Sequence, residues 1–220
     1  MNTIILNGSP KGNPKQSNSR IFAEQFVKDM QNPCEIKRIA ENDPKELAPY
    51  VAGFDAIIII LPLYIHAMPG IVMKFIEELE PAPSASSAPS KGKNIGFIVQ
   101  AGFMETAQHK YVEPYFRQLA EQLNYTYLGT VSKGEAAGIY MYPNMFKKVL
   151  KLVSELGAAY EKTQAFDDEI VKKLSKPYEL SQFQLRLLSV VDKLGISNIG
   201  WHKVLKQNNA FEQRLDKPFL

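Results

Sequence analysis

Cysteine is nearly absent from this chain of 220 residues, because Cys34 is the only one. A single cysteine excludes an intramolecular disulfide and a four-thiolate metal cluster. Cys34 lies in the run NPCEIKRI, where we interpret it as an ordinary strand residue rather than a redox thiol. The scarcity of cysteine is typical of proteins in a reducing compartment, so we expect a cytoplasmic location.

Long hydrophobic runs are also missing. The longest, Ala56 to Ile65, is interrupted by Pro62 and is much shorter than the about 20 apolar residues that a membrane-spanning helix needs. The apolar run from Ile4 to Leu6 is too short for the core of a signal peptide. We therefore expect neither a membrane partner nor a secretory leader, and we interpret 56–65 as a buried strand.

Charge of one sign is not concentrated in any block. The 26 Lys and Arg residues against 23 Asp and Glu residues give a formal net charge of +3, and no run of five like charges occurs. Binding to a phosphate backbone usually needs a dense basic face, so we do not expect a nucleic-acid partner. The 45% hydrophobic and 22% charged fractions are those of a globular protein with a sizeable core.

The sequence does contain a regular alternation of strand and helix patterns. Five runs are typical of strands: TIILN (3–7), CEIKRI (34–39), FDAIIIILPLY (54–64), NIGFIVQAG (94–102) and YTYLGTV (125–131). The third is apolar on both faces, which is typical of a central parallel strand covered by helices on each side. Apolar residues at helical spacing predict helices at 18–30, 69–79, 108–123 and 144–153, the last one capped by Asn144.

This alternation predicts an α/β fold with a doubly wound, five-stranded parallel sheet in the flavodoxin-like order 2-1-3-4-5. The Pro/Ser/Ala-rich stretch 81–93 is interpreted as a surface connector. The alternation ends near residue 165, so we expect a first domain at 1–164 and a helical C-terminal extension at 165–220. An apolar stripe predicts a helix in that extension, and another is expected after Gly195: Leu180, Phe183, Leu187, Val191 and Leu194.

In an open parallel sheet, ligands bind beyond the carboxyl ends of the strands, where the strand order reverses. With the order 2-1-3-4-5, this crevice lies between the first and third strands. Three loops must therefore be considered together, namely 8–19, 62–69 and 100–106.

The first loop combines hydroxyl and amide side chains with the start of a helix: Ser9, Ser17, Asn18 and Ser19. A helix N-terminus offers unpaired N–H groups and a partial positive charge, so such a loop suits a terminal phosphate. It is neither a Walker loop nor a G-x-G-x-x-G motif. The alternative is that Ser17 or Asn18 only caps the helix and the rest is a solvated turn.

The other two loops offer surfaces for a flat ring. Pro62 and Pro69 restrict the backbone of the second loop, and Tyr64 has an aromatic face for a planar ligand. In the third loop, QAGFMETAQHK, Gly102 allows close approach beside Gln100, Phe103 and Met104, although the last two also suit a lid or a core. His66 either contacts a ligand or faces solvent. Glu105 and His109 lack a nucleophile or a second carboxylate in register, so we assign them no acid–base role.

Three motifs resemble the flavodoxin-like NAD(P)H-dependent FMN reductases and quinone reductases over residues 1–160: LNGSPKGN…SNS, LPLYIHAMPGIVMKFIEEL and YLGTVSKGEAAG. In that family the first loop binds the FMN phosphate, which carries over onto Ser9, Lys11, Ser17, Asn18 and Ser19. The loop after the third strand lines the isoalloxazine, which carries over onto Pro62, Leu63, Tyr64, Ile65 and His66. The loop after the fourth strand, which keeps only one glycine of a glycine-rich pattern, adds Gln100, Gly102 and Phe103.

The resemblance implies an enzyme that passes electrons from NAD(P)H through bound FMN to a small acceptor: a quinone, a nitro or azo compound, or flavin. It implies no catalytic side chain and no metal, because the flavin carries the chemistry. Apolar helix faces beyond residue 165 suggest a homodimer or a lid. Two alternatives stay open: a flavodoxin-type electron carrier without its own NAD(P)H activity, and a flavin-free domain that binds another mononucleotide or a protein.

Overall fold

The structure is a computed structural model that describes residues 1–32, 34–64, 66–79, 92–196 and 198–216. Ile65 and most of the connector at 81–93 lie outside these residues. The chain divides into two compact units, Met1–Glu179 and Leu180–Leu220.

The first unit is built around one parallel sheet. Its described residues form the strands β1 (Thr3–Asn7), β2 (Glu35–Arg38), β3 (Ala56–Pro62), β4 (Asn94–Gln100) and β5 (Thr126–Lys133). Their order is β2-β1-β3-β4-β5, which confirms the predicted α/β class and the flavodoxin-like topology. Every residue of β1 and β3 is buried, as expected for central parallel strands that are covered on both faces.

Six described helices belong to this unit: α1 (Asn18–Val27), α2 (Pro44–Val51), α3 (Gly70–Glu77), α4 (Val112–Gln122), α5 (Lys147–Thr163) and α6 (Asp168–Leu174). Successive side chains of β3 point to opposite faces of the sheet, so they enter two separate apolar cores. Ile57 and Ile59 join the core with α2, α3 and α4, whereas Ile58 and Ile60 join the core with α1, α5 and α6.

Some helix starts differ from the sequence prediction. The helix expected at 108–123 begins at Val112, after a 3-10 turn at Thr106–His109. The prediction that Asn144 caps a helix is wrong, because α5 begins at Lys147 and its cap residue, Phe146, makes no side-chain capping bond. A 3-10 turn occupies Pro143–Phe146, so the α-helix begins only after it.

The second unit contains two described helices, α7 (Gln182–Lys193) and α8 (Asn198–Gln207), which confirms the two helices predicted there. Ser181 and Gln184 form a capping box at the start of α7. Gly195, with φ of +70°, ends the helix, because Ile196 N–H donates to the Val191 carbonyl across it. No helix in the described part of the chain is long and apolar enough to cross a membrane.

The contact between α1 and α5 depends on a glycine. A Cβ atom at Gly157 would overlap the carbonyl oxygen of Phe26, so only glycine allows the two helices to lie this close. The Phe26 ring lies 5.7 Å from the Tyr160 ring, and the Tyr160 hydroxyl lies 3.0 Å from the Thr3 hydroxyl. These contacts determine where α1 lies against α5 and β1.

We expect Gly157→Ala to lower the free energy of unfolding by about 3 kcal/mol, because the added methyl group forces α1 and α5 apart. Urea denaturation followed by circular dichroism measures this change. Gly70→Ala is the matched control, since a Cβ there meets no atom within 4 Å. Equal stability of the two variants would contradict the inferred helix contact.

Candidate functional site

The loops that follow β1, β3 and β4 meet at the carboxyl edge of the sheet. Gly8 N–H donates to the Ile60 carbonyl at 2.8 Å, and Leu63 N–H donates to the Gln100 carbonyl at 2.9 Å. The first of these bonds joins the β1 loop to β3, and the second joins the β3 loop to β4. A side chain at Gly8 would collide with Val72 of α3, so this turn requires glycine.

The amino end of α1 opens at this edge. Ser17 caps the helix, because its hydroxyl oxygen accepts from Arg20 N–H at 3.2 Å and its carbonyl accepts from Ile21 N–H at 3.3 Å. The backbone N–H groups of Asn18 and Ser19 precede these bonds and therefore have no acceptor within the helix. Together with the helix dipole, they form a donor site for an anion.

Three buried serine hydroxyls of this loop and helix each accept one hydrogen bond from the protein. Ser9 accepts from Lys11 N–H at 3.4 Å, Ser17 accepts from Arg20, and Ser19 accepts from the Gln100 side-chain amide at 3.2 Å. A hydroxyl that accepts still has its own O–H to donate. The loop therefore offers hydroxyl donors in addition to the backbone N–H groups, and Ser19 connects it to the end of β4.

The side chain of Asn18 binds the protein itself. Its amide nitrogen donates to the Ala136 carbonyl at 2.7 Å, and its oxygen accepts from Tyr140 N–H at 3.0 Å. Both polar atoms of the Asn18 side chain are thus engaged with the protein, whereas the backbone N–H of this predicted phosphate ligand has no acceptor within the helix. Its side chain instead joins the start of α1 to the loop that follows β5.

The Lys11 ammonium lies across the first loop. It donates to the Gln16 carbonyl at 2.9 Å and lies 4.6 Å from the centroid of the Tyr140 ring. Arg38, at the end of β2, donates to the Lys11 carbonyl at 2.6 Å. Sequence reasoning did not identify Tyr140 or Arg38, because each belongs to a segment that only the fold brings to the first loop.

The second loop makes a tight turn between Tyr64 and Ala67. Tyr64 N–H donates to the Ala67 carbonyl at 2.9 Å, and Ala67 N–H donates back at 3.1 Å. His66 adopts the left-handed conformation in this turn, with φ of +64°. The N–H groups of Leu63, Tyr64 and Ala67 are therefore bonded within the protein, and less of this backbone is open to a heterocycle than the sequence indicated.

Half-exposed aromatic rings bring the second and third loops together. The rings of His66 and Phe103 are nearly parallel, at 6°, with centroids 6.1 Å apart, and His66 Nδ1 lies 2.9 Å from the Gln108 carbonyl. Phe103 is 50% exposed and Tyr64 is 46% exposed. Partial burial raises the pKa of the Tyr64 phenol above its ordinary value. The arrangement offers a flat, mostly apolar surface.

The loop after β5 packs closely on the third loop. A Cβ atom at Gly134 would collide with the carbonyl groups of Phe103 and Met104, so the approach requires glycine there. Ala136 N–H donates to the Ala101 carbonyl at 2.8 Å. Gly102, by contrast, has room for a methyl group, so space alone does not require the glycine that the sequence prediction emphasised.

Two basic side chains are buried near this edge. His109 is 2% exposed, and neither of its ring nitrogens has a hydrogen-bond partner among the described residues. Lys133, at the end of β5, is 5% exposed and donates to the Lys176 carbonyl at 3.3 Å. Burial, followed by the charges of His66 and Lys133, lowers the pKa of His109 to about 4, so its ring is neutral at pH 7. Burial also lowers the pKa of Lys133.

The structure thus places the predicted site residues at one edge in two groups. A polar group lies around the amino end of α1, and an aromatic group lies between the second and third loops. Gln100 connects them, because its side chain binds Ser19 and its carbonyl binds Leu63 N–H. Ile65 lies outside the described residues. The roles of all these residues toward a ligand stay predictions.

Comparisons with known proteins support the fold. No protein-family model matches the sequence, and no curated protein matches it significantly. An NADPH-quinone reductase from P. pentosaceus is similar in structure, with 17% identity and a TM-score of 0.53 over 70% of this chain and 96% of that one. General stress protein 14 from Treponema denticola, in complex with FMN, has 13% identity and a TM-score of 0.52 over 74% and 98%.

A third similar structure is RosB with bound 8-demethyl-8-formylriboflavin-5′-phosphate. It has 12% identity and a TM-score of 0.54 over 87% of this chain and 86% of that one. At such identities the likeness shows the flavodoxin-like fold. The similar structures include a reductase of the kind that the sequence motifs resemble.

We expect the buried His109 to make the protein less stable in acid. Its pKa is about 4 in the folded chain against an ordinary 6.5, so between these values the unfolded chain binds a proton that the folded chain does not. Stability therefore falls as the pH drops through this window, by about 2 kcal/mol between pH 8 and pH 5. We expect His109→Leu to remove this part of the loss, as measured by urea denaturation at both pH values.

The same substitution at the exposed His202 controls for the loss of a histidine as such. A His109→Leu variant that loses as much stability between pH 8 and pH 5 as the unmodified protein would contradict the burial argument.

Proposed function

We propose that this protein binds FMN at the carboxyl edge of its sheet and uses it to pass electrons from NAD(P)H to a small organic acceptor. A quinone, a nitro or azo compound, or free flavin suits this description. The observation that carries the proposal is the amino end of α1, where the N–H groups of Asn18 and Ser19 have no acceptor within the helix and three buried serine hydroxyls each keep an O–H to donate. The similar structures, an NADPH-quinone reductase and an FMN complex, support it.

The chemistry of the first loop fits the phosphate of FMN. No Asp or Glu occurs between Gly8 and Ala23, so no carboxylate of the loop repels an anion. The backbone N–H groups at the start of α1 and the serine hydroxyls are donors, and Lys11 adds positive charge beside the loop, whereas the Arg38 guanidinium is paired with the Glu41 carboxylate. Hydrogen bonds from charged and neutral donors to a phosphate dianion are among the strongest that proteins make.

The aromatic group of the second and third loops fits the ring system. Tyr64, His66 and Phe103 present planar surfaces at the edge where the strand order reverses. Bound flavin supplies hydride and electron transfer, which needs no nucleophile or metal from the protein. The chain would contribute binding and orientation: the amino end of α1 would hold the phosphate, and the exposed rings of Tyr64, His66 and Phe103 would line the space for the ring system and the second substrate.

We expect Ser17→Gly combined with Ser19→Ala to weaken FMN binding by about tenfold, because two hydroxyl donors to the phosphate are lost. Glycine is chosen at position 17 because it keeps most of the stability of a helix cap. The quenching of flavin fluorescence on titration measures the affinity.

Riboflavin is the control ligand, since it has the ring but no phosphate, and its affinity is expected to stay the same. Ser181→Gly, at the cap of α7, is the control variant, which removes a capping serine from a part of the chain without a predicted ligand. Unchanged FMN affinity in the Ser17/Ser19 variant would move the phosphate elsewhere.

We expect the FMN-loaded protein to be reduced directly by NADH or NADPH, which distinguishes an enzyme from an electron carrier. Anaerobic mixing should bleach the visible flavin absorbance, and a quinone or azo dye should restore it in repeated turnovers. A carrier that needs a separate reductase would keep its colour in the presence of both nucleotides.

A further inference from the structure

The second unit folds into helices that have no buried core among their described residues. None of its described residues, 180–196 and 198–216, is buried, although large apolar side chains are frequent among them. Seven large apolar residues of the unit are each more than half exposed: Phe183, Leu187, Val190, Leu194, Ile199, Trp201 and Leu215. Amphipathic helices obtain most of their stability from packing of the apolar face, so this unit needs a partner surface.

The apolar and basic side chains of α7 lie on different faces. Phe183, Leu187 and Leu194 recur at intervals of four and seven residues, which places them on one side of the helix. Arg186 and Lys193 are seven residues apart and lie on another side. This pattern of an apolar stripe beside basic residues is typical of helices that lie flat on a membrane surface.

A similar pattern continues in and after α8. Trp201 and Leu205 share one face, and Lys206 lies on another. Beyond the helix, the chain returns so that the Phe211 ring lies 4.8 Å from Lys206 Nζ and 4.1 Å from the Arg214 guanidinium. Tryptophan is enriched at the boundary between lipid and water, and Trp201 is the only tryptophan in the chain.

The second unit also carries the net charge of the protein. Residues 180–220 contain six of the 26 Lys and Arg residues and three of the 23 Asp and Glu residues, which gives +3. Residues 1–179 contain 20 of each kind and are formally neutral. The +3 of the whole chain therefore belongs to the segment with the exposed apolar faces.

We propose that residues 180–216 are a docking surface for an anionic lipid bilayer, on which α7 and α8 lie in the interface without crossing it. The charge distribution favours this occupant. A second copy would bring +3 against +3, whereas an anionic bilayer carries the complementary charge. A nucleic acid would match the charge but would leave Phe183, Leu187 and Trp201 exposed.

The earlier expectation of no membrane partner rested on the lack of a spanning run, which says nothing about a helix in the interface. The proposal does not depend on FMN binding. If both hold, the protein acts beside the bilayer in which lipid-soluble quinones dissolve.

The sole tryptophan makes a direct test possible with the full chain. We expect its fluorescence to shift to shorter wavelength with vesicles of phosphatidylcholine and phosphatidylglycerol in equal parts, and the protein to co-sediment with them. Pure phosphatidylcholine vesicles should bind about tenfold more weakly, and added salt should weaken binding to the mixed vesicles.

Two double variants test the two faces separately. Phe183→Ser with Leu187→Ser removes apolar area, and Arg186→Glu with Lys193→Glu reverses two charges, and we expect each to lower partitioning by about tenfold or more. Lys147→Glu with Lys148→Glu, on exposed positions of α5, makes the same charge change in the first unit and should leave binding unchanged.

Several outcomes would overturn the proposal. The first is no spectral shift and no co-sedimentation with the mixed vesicles at low salt. Equal binding to both kinds of vesicle would refute the role of charge. Concentration-dependent self-association that Phe183→Ser with Leu187→Ser abolishes, without vesicle binding, would identify a second copy as the occupant. Binding to an oligonucleotide that survives this variant, again without vesicle binding, would identify a nucleic acid.

Discussion

The candidate site depends on where the amino end of α1 lies. Three contacts determine that position: the close approach of α1 to α5 at Gly157, the bond from Gln100 to Ser19, and the two bonds of Asn18 to the loop after β5. The first acts on the apolar face of the helix, and the other two act at its polar end. A shift of the helix would therefore break buried polar bonds as well as apolar packing, which makes the donor geometry rigid.

The polar groups at the carboxyl edge differ in how completely they are bonded. The side-chain amides of Asn18 and Gln100 donate to other segments of the protein, whereas the hydroxyls of Ser9, Ser17 and Ser19 accept a bond and keep an O–H to donate. The two amides hold the loops together, and the serine hydroxyls are suited to a ligand. Position in the fold, rather than residue type, decides which role a serine or an asparagine takes.

The two units illustrate opposite uses of apolar residues. In the first unit, β3 contributes isoleucines to both faces of the sheet and all of them are buried. In the second unit, apolar side chains of α7 and α8 have the same helical spacing as core residues but stay exposed. An apolar stripe at helical spacing therefore does not by itself show that a helix face is buried.

The sheet order, the loops that meet at its carboxyl edge and the two terminal helices could be predicted from the sequence, because they follow from local periodicity and from the rules for parallel sheets. The sequence could not show that the Asn18 side chain is engaged, that Asn144 caps no helix, or that Tyr140 and Arg38 reach the first loop. It also gave no sign that His109 is buried without partners. The contacts of Asn18, Tyr140, Arg38 and His109 join segments that are distant in the chain and meet only through packing, whereas the cap at Asn144 is lost to a local 3-10 turn at Pro143.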